Sequence, residues 1–164
     1  PFLDENRKSA AYWRDVGTLD AYYAANMDLL EPVPPMDLYQ EDWPISSYQL
    51  QTPPARTVPG ASGSEGIFIN SIVAGGCVIA GGSVQRSILF PQGFVDDEAV
   101  VEESILFRGV RVGEGARLRR CILEKGVSVP PGETIGYDPQ RDAERFRLSD
   151  SGVVVVPKGY RFEG

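Results

Sequence analysis

Eleven apolar residues in the second half of the chain fall on a lattice with a 17-residue repeat, and this repeat restricts the fold more than any other feature. One column is Val78, Val95, Val112 and Val129, a second is Val84, Val101, Leu118 and Ile135, and a third is Leu89, Leu106 and Leu123. Self-similarity at so short a period marks a solenoid, in which each repeat buries its apolar face only against its neighbours. The columns are offset by six, five and six residues, so each turn has three sides built from hexapeptide units, one side shortened by a residue. Glycines at 75, 76, 81, 82, 93, 109, 113, 115, 126, 132 and 136 fall between the apolar triplets, where corners call for positive φ. The coil proper is read from about Ile67 to Gly136.

Alternation along each side decides which side chains face in. In Ser87-Ile88-Leu89, Ser104-Ile105-Leu106 and Cys121-Ile122-Leu123 the lattice residue is third, so the first also faces in and the middle one faces out. Ile72, Ile88, Ile105 and Ile122 then form a stripe on the outside of one wall, too apolar to leave in water. It is read as an interface with another domain or subunit, and a chain carrying it is expected to self-associate. Outward positions on the other two walls include Arg111, Arg117 and Ser128, as suits solvent-facing sides.

Upstream of the coil, Thr18 is read as the N-cap of a helix with Asp20 in its first turn and Leu19, Tyr22, Tyr23, Asn26, Met27 and Leu30 at helical spacing. Glu31-Pro32-Val33-Pro34-Pro35 ends it, because proline lacks the amide donor and restricts its predecessor. Met36 to Gly66 reads as an extended connector with a flexible tip, partly docked through Tyr39, Trp43, Ile45 and Tyr48. Downstream, Asp138 and Pro139 open a short helix ending near Phe146, and Val153 to Val156 reads as a strand closing the domain. The expected fold is mainly β: a parallel β-helix of about four to five coils, preceded by a helix and irregular connector and followed by a short helix and strand.

At 164 residues the chain has room for one domain plus appendages. Its net charge of −7 and pI near 4.6 weigh against nucleic acid or an anionic membrane as partner. No apolar run approaches the roughly 20 residues of a membrane-spanning helix. The chain opens with Pro1 rather than Met and without a signal-peptide pattern, so a fragment or processed product is expected. Cys77 and Cys121 lack metal-ligand or CxxC spacing and lie several coils apart, at about 4.8 Å per coil, so both are expected reduced, as in a cytosolic protein.

The chain contains no histidine. Hexapeptide coils often carry acyl transfer with a histidine base, or zinc chemistry through histidine ligands, and both are excluded here. Gly113-Glu114-Gly115 lies in coil corners and carries no phosphate-loop signal, and the serines lack a base partner. The coil therefore reads as scaffold. The segment with chemical content is Tyr12-Trp13-Arg14-Asp15-Val16-Gly17-Thr18. Its aspartate, beside an aromatic and a Gly-Thr turn, suits Mg²⁺ with a sugar face on the ring, or simply accepts backbone hydrogen bonds ahead of the helix.

Tyr12 to Leu30, Trp43-Pro44-Ile45, Pro53-Pro54-Ala55, Asn70 to Ile79 and Leu118 to Ile122 together resemble bacterial glucose-1-phosphate adenylyltransferases, the regulated nucleotidyltransferases of glycogen synthesis. The resemblance spans nearly the whole chain and is to the carboxy-terminal part of that family. It implies a left-handed β-helix and three parts: the incomplete end of a nucleotidyltransferase domain over 1–30, a connector over 31–66, and a β-helix regulatory and oligomerisation domain over 67–164. For the parent it implies Mg²⁺-dependent formation of ADP-glucose and pyrophosphate from ATP and glucose 1-phosphate. Trp13 and Asp15 match substrate-binding positions, with Asp15 a partial metal site. The family's glycine-rich nucleotide loop, catalytic lysine and first metal-binding aspartate have no counterpart, so no catalytic set is complete and the chain alone is expected to be inactive.

The same resemblance implies anionic effectors, sugar phosphates and nucleotides, held by basic side chains at Lys125, Lys158 and Arg161. Without it these are exposed charges, just as Arg119, Arg120, Arg141 and Arg145 can pair with the chain's carboxylates. Its own N-terminal catalytic domain and a homotetramer are the implied partners, and the cytoplasm the implied location. Ser46-Ser47 stands where relatives carry Arg-Thr. The competing readings are part of another sugar-nucleotide pyrophosphorylase, or a free-standing structural β-helix that only oligomerises.

Overall fold

The structure, a computed structural model, describes residues 12–39, 41 and 50–162. Parallel strands of two or three residues wind into a three-walled solenoid. The first wall stacks Arg56–Val58, Val78–Ala80, Phe94–Val95, Arg111–Val112 and Ser128–Val129. The second stacks Ile67–Ile69, Ser83–Gln85, Val100–Glu102, Arg117–Arg119 and Thr134–Ile135. The third stacks Ile72–Val73, Ile88–Leu89, Ile105–Leu106, Cys121–Leu123 and Val154–Val156, the last of which also pairs antiparallel with Arg147–Leu148.

Each wall sends one column of side chains to the axis. Val84, Val101, Leu118 and Ile135 line one, Leu89, Leu106 and Leu123 another, and all are fully buried. Burying a side chain of this size contributes about 1.5–3 kcal/mol, so the columns are the main source of stability. The remaining column departs from the lattice at one place. Val78 pairs with Phe94, and it is Ile79, opposite Val95 and 1% exposed, that points inward. The step from Ile79 to Val95 is 16 residues, as are those from Phe68 to Val84 and Val73 to Leu89, so this turn, which follows a 22-residue step from Thr57 to Ile79 on the first wall, is a residue shorter than the 17-residue turns after it. A 17-residue repeat carried back into that coil lands one position early, on the partly exposed Val78.

The corners are not all glycine. Asn70, Arg86, Glu103 and Arg120 occupy one corner in successive coils with φ of 44°, 44°, 45° and 48°. A left-handed residue with a Cβ costs roughly 1–2 kcal/mol, and after the first three of these corners a serine supplies compensation. The hydroxyls of Ser71, Ser87 and Ser104 donate to the carbonyls of Ile69, Gln85 and Glu102 at 2.8, 2.7 and 2.6 Å, closing the corner. Each oxygen also accepts the amide one coil further on, from Ser87, Ser104 and Cys121 at 3.1, 3.0 and 3.3 Å. A polar ladder therefore runs along the solenoid, with every buried side-chain polar atom among the described residues satisfied. Cys77 and Cys121 are free and buried.

Helix α1 (Leu19–Met27) forms where its cap directs, with the Thr18 hydroxyl accepting the Ala21 amide at 3.1 Å, and a 3₁₀ turn over Asp28–Leu30 leads into the prolines. Helix α2 (Pro139–Arg145) starts at Asp138, whose carboxylate accepts the amides of Gln140 and Arg141. It closes the end of the solenoid with Phe146, Tyr160 and Phe162, the Tyr160 ring lying 4.9 Å from each of the other two. In the connector, Tyr39 is 82% exposed and not docked, while Trp43, Ile45, Tyr48 and Ser46-Ser47 lie outside the described residues. None of the helices described is long and apolar enough to cross a membrane.

Candidate functional site

The isoleucines of the third wall stack in register, Ile72 on Ile88, Ile88 on Ile105 and Ile105 on Ile122, with Val155 continuing the row. Ile105 and Ile122 are buried, packed with Val153 against Tyr22, Tyr23 and Met27 of α1 and against Phe90 and Phe107. Ile88 is also buried, and Ile72 is partly exposed. The cover over the middle of the stripe thus comes from the chain's own amino-terminal helix.

Two polar contacts hold that helix in place. The Tyr23 hydroxyl donates to the Glu103 carbonyl at 2.6 Å, using one of the left-handed corners. Burial, and secondarily the Glu103 carboxylate, push the Tyr23 phenol up to about 12. At the other end the Asp20 carboxylate accepts the hydroxyls of Ser149 and Ser151 at 2.5 and 2.6 Å, and the Ser151 amide at 3.2 Å. The Ser149 hydroxyl first, and that of Ser151 next, hold the Asp20 carboxyl below its ordinary value.

Docking α1 creates a cleft of about 470 Å³ between the helix and the third wall, lined by Leu19, Tyr22, Phe107, Ile122, Glu124, Lys125, Val155 and Lys158. Lys125 and Lys158 meet there because of register. Leu123 stands opposite Val156, so the residues two places on occupy the same corner in adjacent coils. Among the described residues neither ammonium has a carboxylate within 4.0 Å. Glu124 turns instead to the Lys158 amide, which donates to it at 2.9 Å. The cleft combines two free cations with an apolar and aromatic floor, a setting that suits a phosphorylated organic anion.

Arg161 is exposed and does not line this cleft. Arg108, which sequence reasoning missed, precedes Lys125 by one 17-residue step at the same corner. Its guanidinium is turned to Gln92 at 2.9 Å. The lattice was the signal that could have found it.

Trp13 and Asp15 stand apart from the lysines, in the segment entering α1. The Trp13 ring is 83% exposed. One Asp15 oxygen accepts the Gly17 amide at 2.9 Å, the local loop role expected of an aspartate ahead of a helix. No group of three metal-ligating side chains occurs among the described residues, so Asp15 offers a metal one carboxylate and no completed shell.

A parallel three-walled coil of hexapeptides with an inward ladder of small residues defines a hexapeptide-repeat β-helix protein. The chain belongs to the GlmU-like C-terminal hexapeptide family, whose model matches residues 53–156, and its solenoid is that family's left-handed β-helix. Over nearly its whole length it also matches the carboxy-terminal part of proteins named glucose-1-phosphate adenylyltransferase. It is 60% identical over 151 residues to glucose-1-phosphate adenylyltransferase 2 of Vibrio parahaemolyticus, covering 92% of this chain and 37% of that protein. The Thermus thermophilus protein of that name is 54% identical over 152 residues, 92% of this chain and 37% of the relative. The Koribacter versatilis one is 45% identical over 159 residues, 97% and 38% respectively. The chain therefore spans a little over a third of the length of the curated relatives it matches.

Proposed function

We propose that this chain is the regulatory and assembly part of a cytoplasmic glucose-1-phosphate adenylyltransferase serving glycogen synthesis, and that it has no activity by itself. The parent would join ATP and glucose 1-phosphate into ADP-glucose with release of pyrophosphate. The observation that carries the reading is the placement of Lys125 and Lys158 in one cleft against α1, the helix that leads directly from Trp13 and Asp15. A sugar-phosphate or nucleotide effector bound by the two ammoniums would touch Leu19 and Tyr22, and so bear on the helix that carries the substrate-facing loop. Trp13 would pack on the sugar, and Asp15 would supply one Mg²⁺ ligand, with the rest of the metal shell coming from the N-terminal catalytic domain. Arg161, outside the cleft, would have at most a long-range electrostatic part.

Assembly into a homotetramer is the second element of the proposal. Ile88, Ile105 and Ile122 have an intramolecular role, whereas Ile67–Ile69, an edge strand with side chains 42%, 48% and 57% exposed, offers an apolar sheet edge of the kind that pairs or packs with another chain. Ile72 borders the same end of the solenoid.

The test is ADP-glucose synthesis by the full-length enzyme against a panel of sugar phosphates and nucleoside monophosphates. Lys125→Glu and Lys158→Glu should each raise the effector constant about ten- to a hundredfold, as expected for a charge-assisted contact, with turnover in the absence of effector retained. Unchanged effector constants in both variants would remove the regulatory reading. Turnover of GTP with mannose 1-phosphate in place of the proposed substrates would remove the assignment of the reaction.

A further inference from the structure

We infer that Asp28 is a positioning residue that presents Trp13 and Asp15 to the substrate, an inference that rests on the functional reading above. Asp28 follows the last residue of α1 and opens the 3₁₀ turn. Its carboxylate accepts the Arg14 guanidinium at 2.5 Å and the Tyr12 hydroxyl at 3.3 Å. No other side chain among the described residues engages it. One acid at the far end of the helix therefore gathers two alternate residues of the entering segment.

The residues between and after them are left on the open side. Trp13 lies between the two tethered side chains and has its ring in solvent. Asp15 follows Arg14, is exposed, and keeps one oxygen free of the Gly17 amide. Asp28 is fixed in turn because α1 is pinned by Asp20 and Tyr23 to segments 129 and 80 residues away. Substrate-facing groups on a mobile segment lose effective molarity, and a tether to a docked helix restores it. Asp28 touches no substrate in this scheme and acts only through Tyr12 and Arg14.

The experiment uses the full-length enzyme with Asp28→Ala, Asp28→Glu and the exchange Arg14→Asp/Asp28→Arg. Two quantities are read: hydrogen exchange of the peptide spanning residues 12–18, and the separate KM values for glucose 1-phosphate and ATP beside the melting midpoint. Asp28→Ala should speed exchange in that peptide and raise KM for glucose 1-phosphate about tenfold, leaving KM for ATP and the midpoint in place. Asp28→Glu and the exchanged pair should recover most of the loss. An unchanged KM for glucose 1-phosphate overturns the inference, as does a parallel shift of both KM values with the midpoint. Wild-type enzyme that makes no ADP-glucose would defeat the functional reading instead. Exchange over 12–18 would still judge the tether, and no change in Asp28→Ala would defeat it.

Discussion

The Tyr23 hydroxyl donates a 2.6 Å hydrogen bond to the carbonyl of Glu103, a left-handed corner residue 80 positions further along the chain. One phenol thereby ties the amino-terminal helix to the backbone strain of the solenoid. Tyr23→Phe should cost about 1 kcal/mol of stability in urea titrations, the usual net worth of such a bond. Its pH signature is separate. With the phenol raised from 10.0 to about 12, its contribution is complete below pH 10 and is lost as the pH climbs toward 12, because the unfolded chain gives up its proton first. Tyr23→Phe should lessen that decline, leaving the parts due to Cys121, Cys77 and Tyr137, all likewise raised by burial.

Asp20 behaves oppositely. Its folded pKa lies below the ordinary 3.8, so its contribution is present above that pH and disappears as the pH falls through the folded value. Asp20→Ala should release α1 at neutral pH and expose Ile105, Ile122 and Val153, raising hydrophobic-dye fluorescence and shifting the chain toward larger species in size exclusion. Dye binding identical to that of wild type would count against the latch.

Ser104 and Cys121 occupy equivalent positions in the polar ladder. Ser104→Ala leaves the buried Cys121 amide without its partner, while the Glu102 carbonyl keeps the Arg120 amide, and should cost about 1–3 kcal/mol. Cys121→Ser should stay within about 1 kcal/mol of wild type, since a hydroxyl there reaches back to the Arg119 carbonyl as Ser104 does to that of Glu102. Equal losses in denaturant titrations would contradict the ladder.

Burial, the dominant influence, pushes the Cys121 thiol up to about 12, and it raises that of Cys77 as well. Neither should react with a thiol reagent at pH 8 until the protein is unfolded, since the thiolate is the nucleophile. Labelling of native Cys121 at the rate of a free thiol would show that the third wall opens.

Gly136 and Gly109 both have positive φ, at 86° and 72°, but differ in what surrounds them. A Cβ at Gly136 would fall 1.7 Å from the Arg119 carbonyl oxygen, whereas one at Gly109 meets nothing within 4 Å. Gly109→Ala should cost about 1–2 kcal/mol, the backbone strain alone. Gly136→Ala should exceed about 4 kcal/mol, because backbone must move. Similar melting points for the two would refute the steric argument.

Much of this was legible because a solenoid repeats its own instructions. The columns through Leu106 and Leu118, the inward Ser104 and both helix caps follow from spacing and alternation. Val78 misled because nothing local marks a coil one residue short, and only pairing with Phe94 reveals the shift. The corners at Arg86 and Glu103 escaped a glycine-based reading because a neighbouring serine supports them. The isoleucine stripe was visible, but its cover was not, since periodicity along the coil carries no information about a helix that precedes it. The two lysines became a pair only through the register of Leu123 with Val156.

The docked helix also sets an order of events during synthesis. Coils can close one upon another as they leave the ribosome, each needing only its predecessor. The surface that receives α1 is finished late, since Ile105, Ile122, Ser149 and Val153 all come after it. Helix α1, made before all of them, must therefore wait, with Tyr22, Tyr23 and Met27 uncovered, until Val153 has emerged. For that interval the nascent chain carries two matching apolar faces at once, and a neighbouring nascent chain could take the place of its own helix.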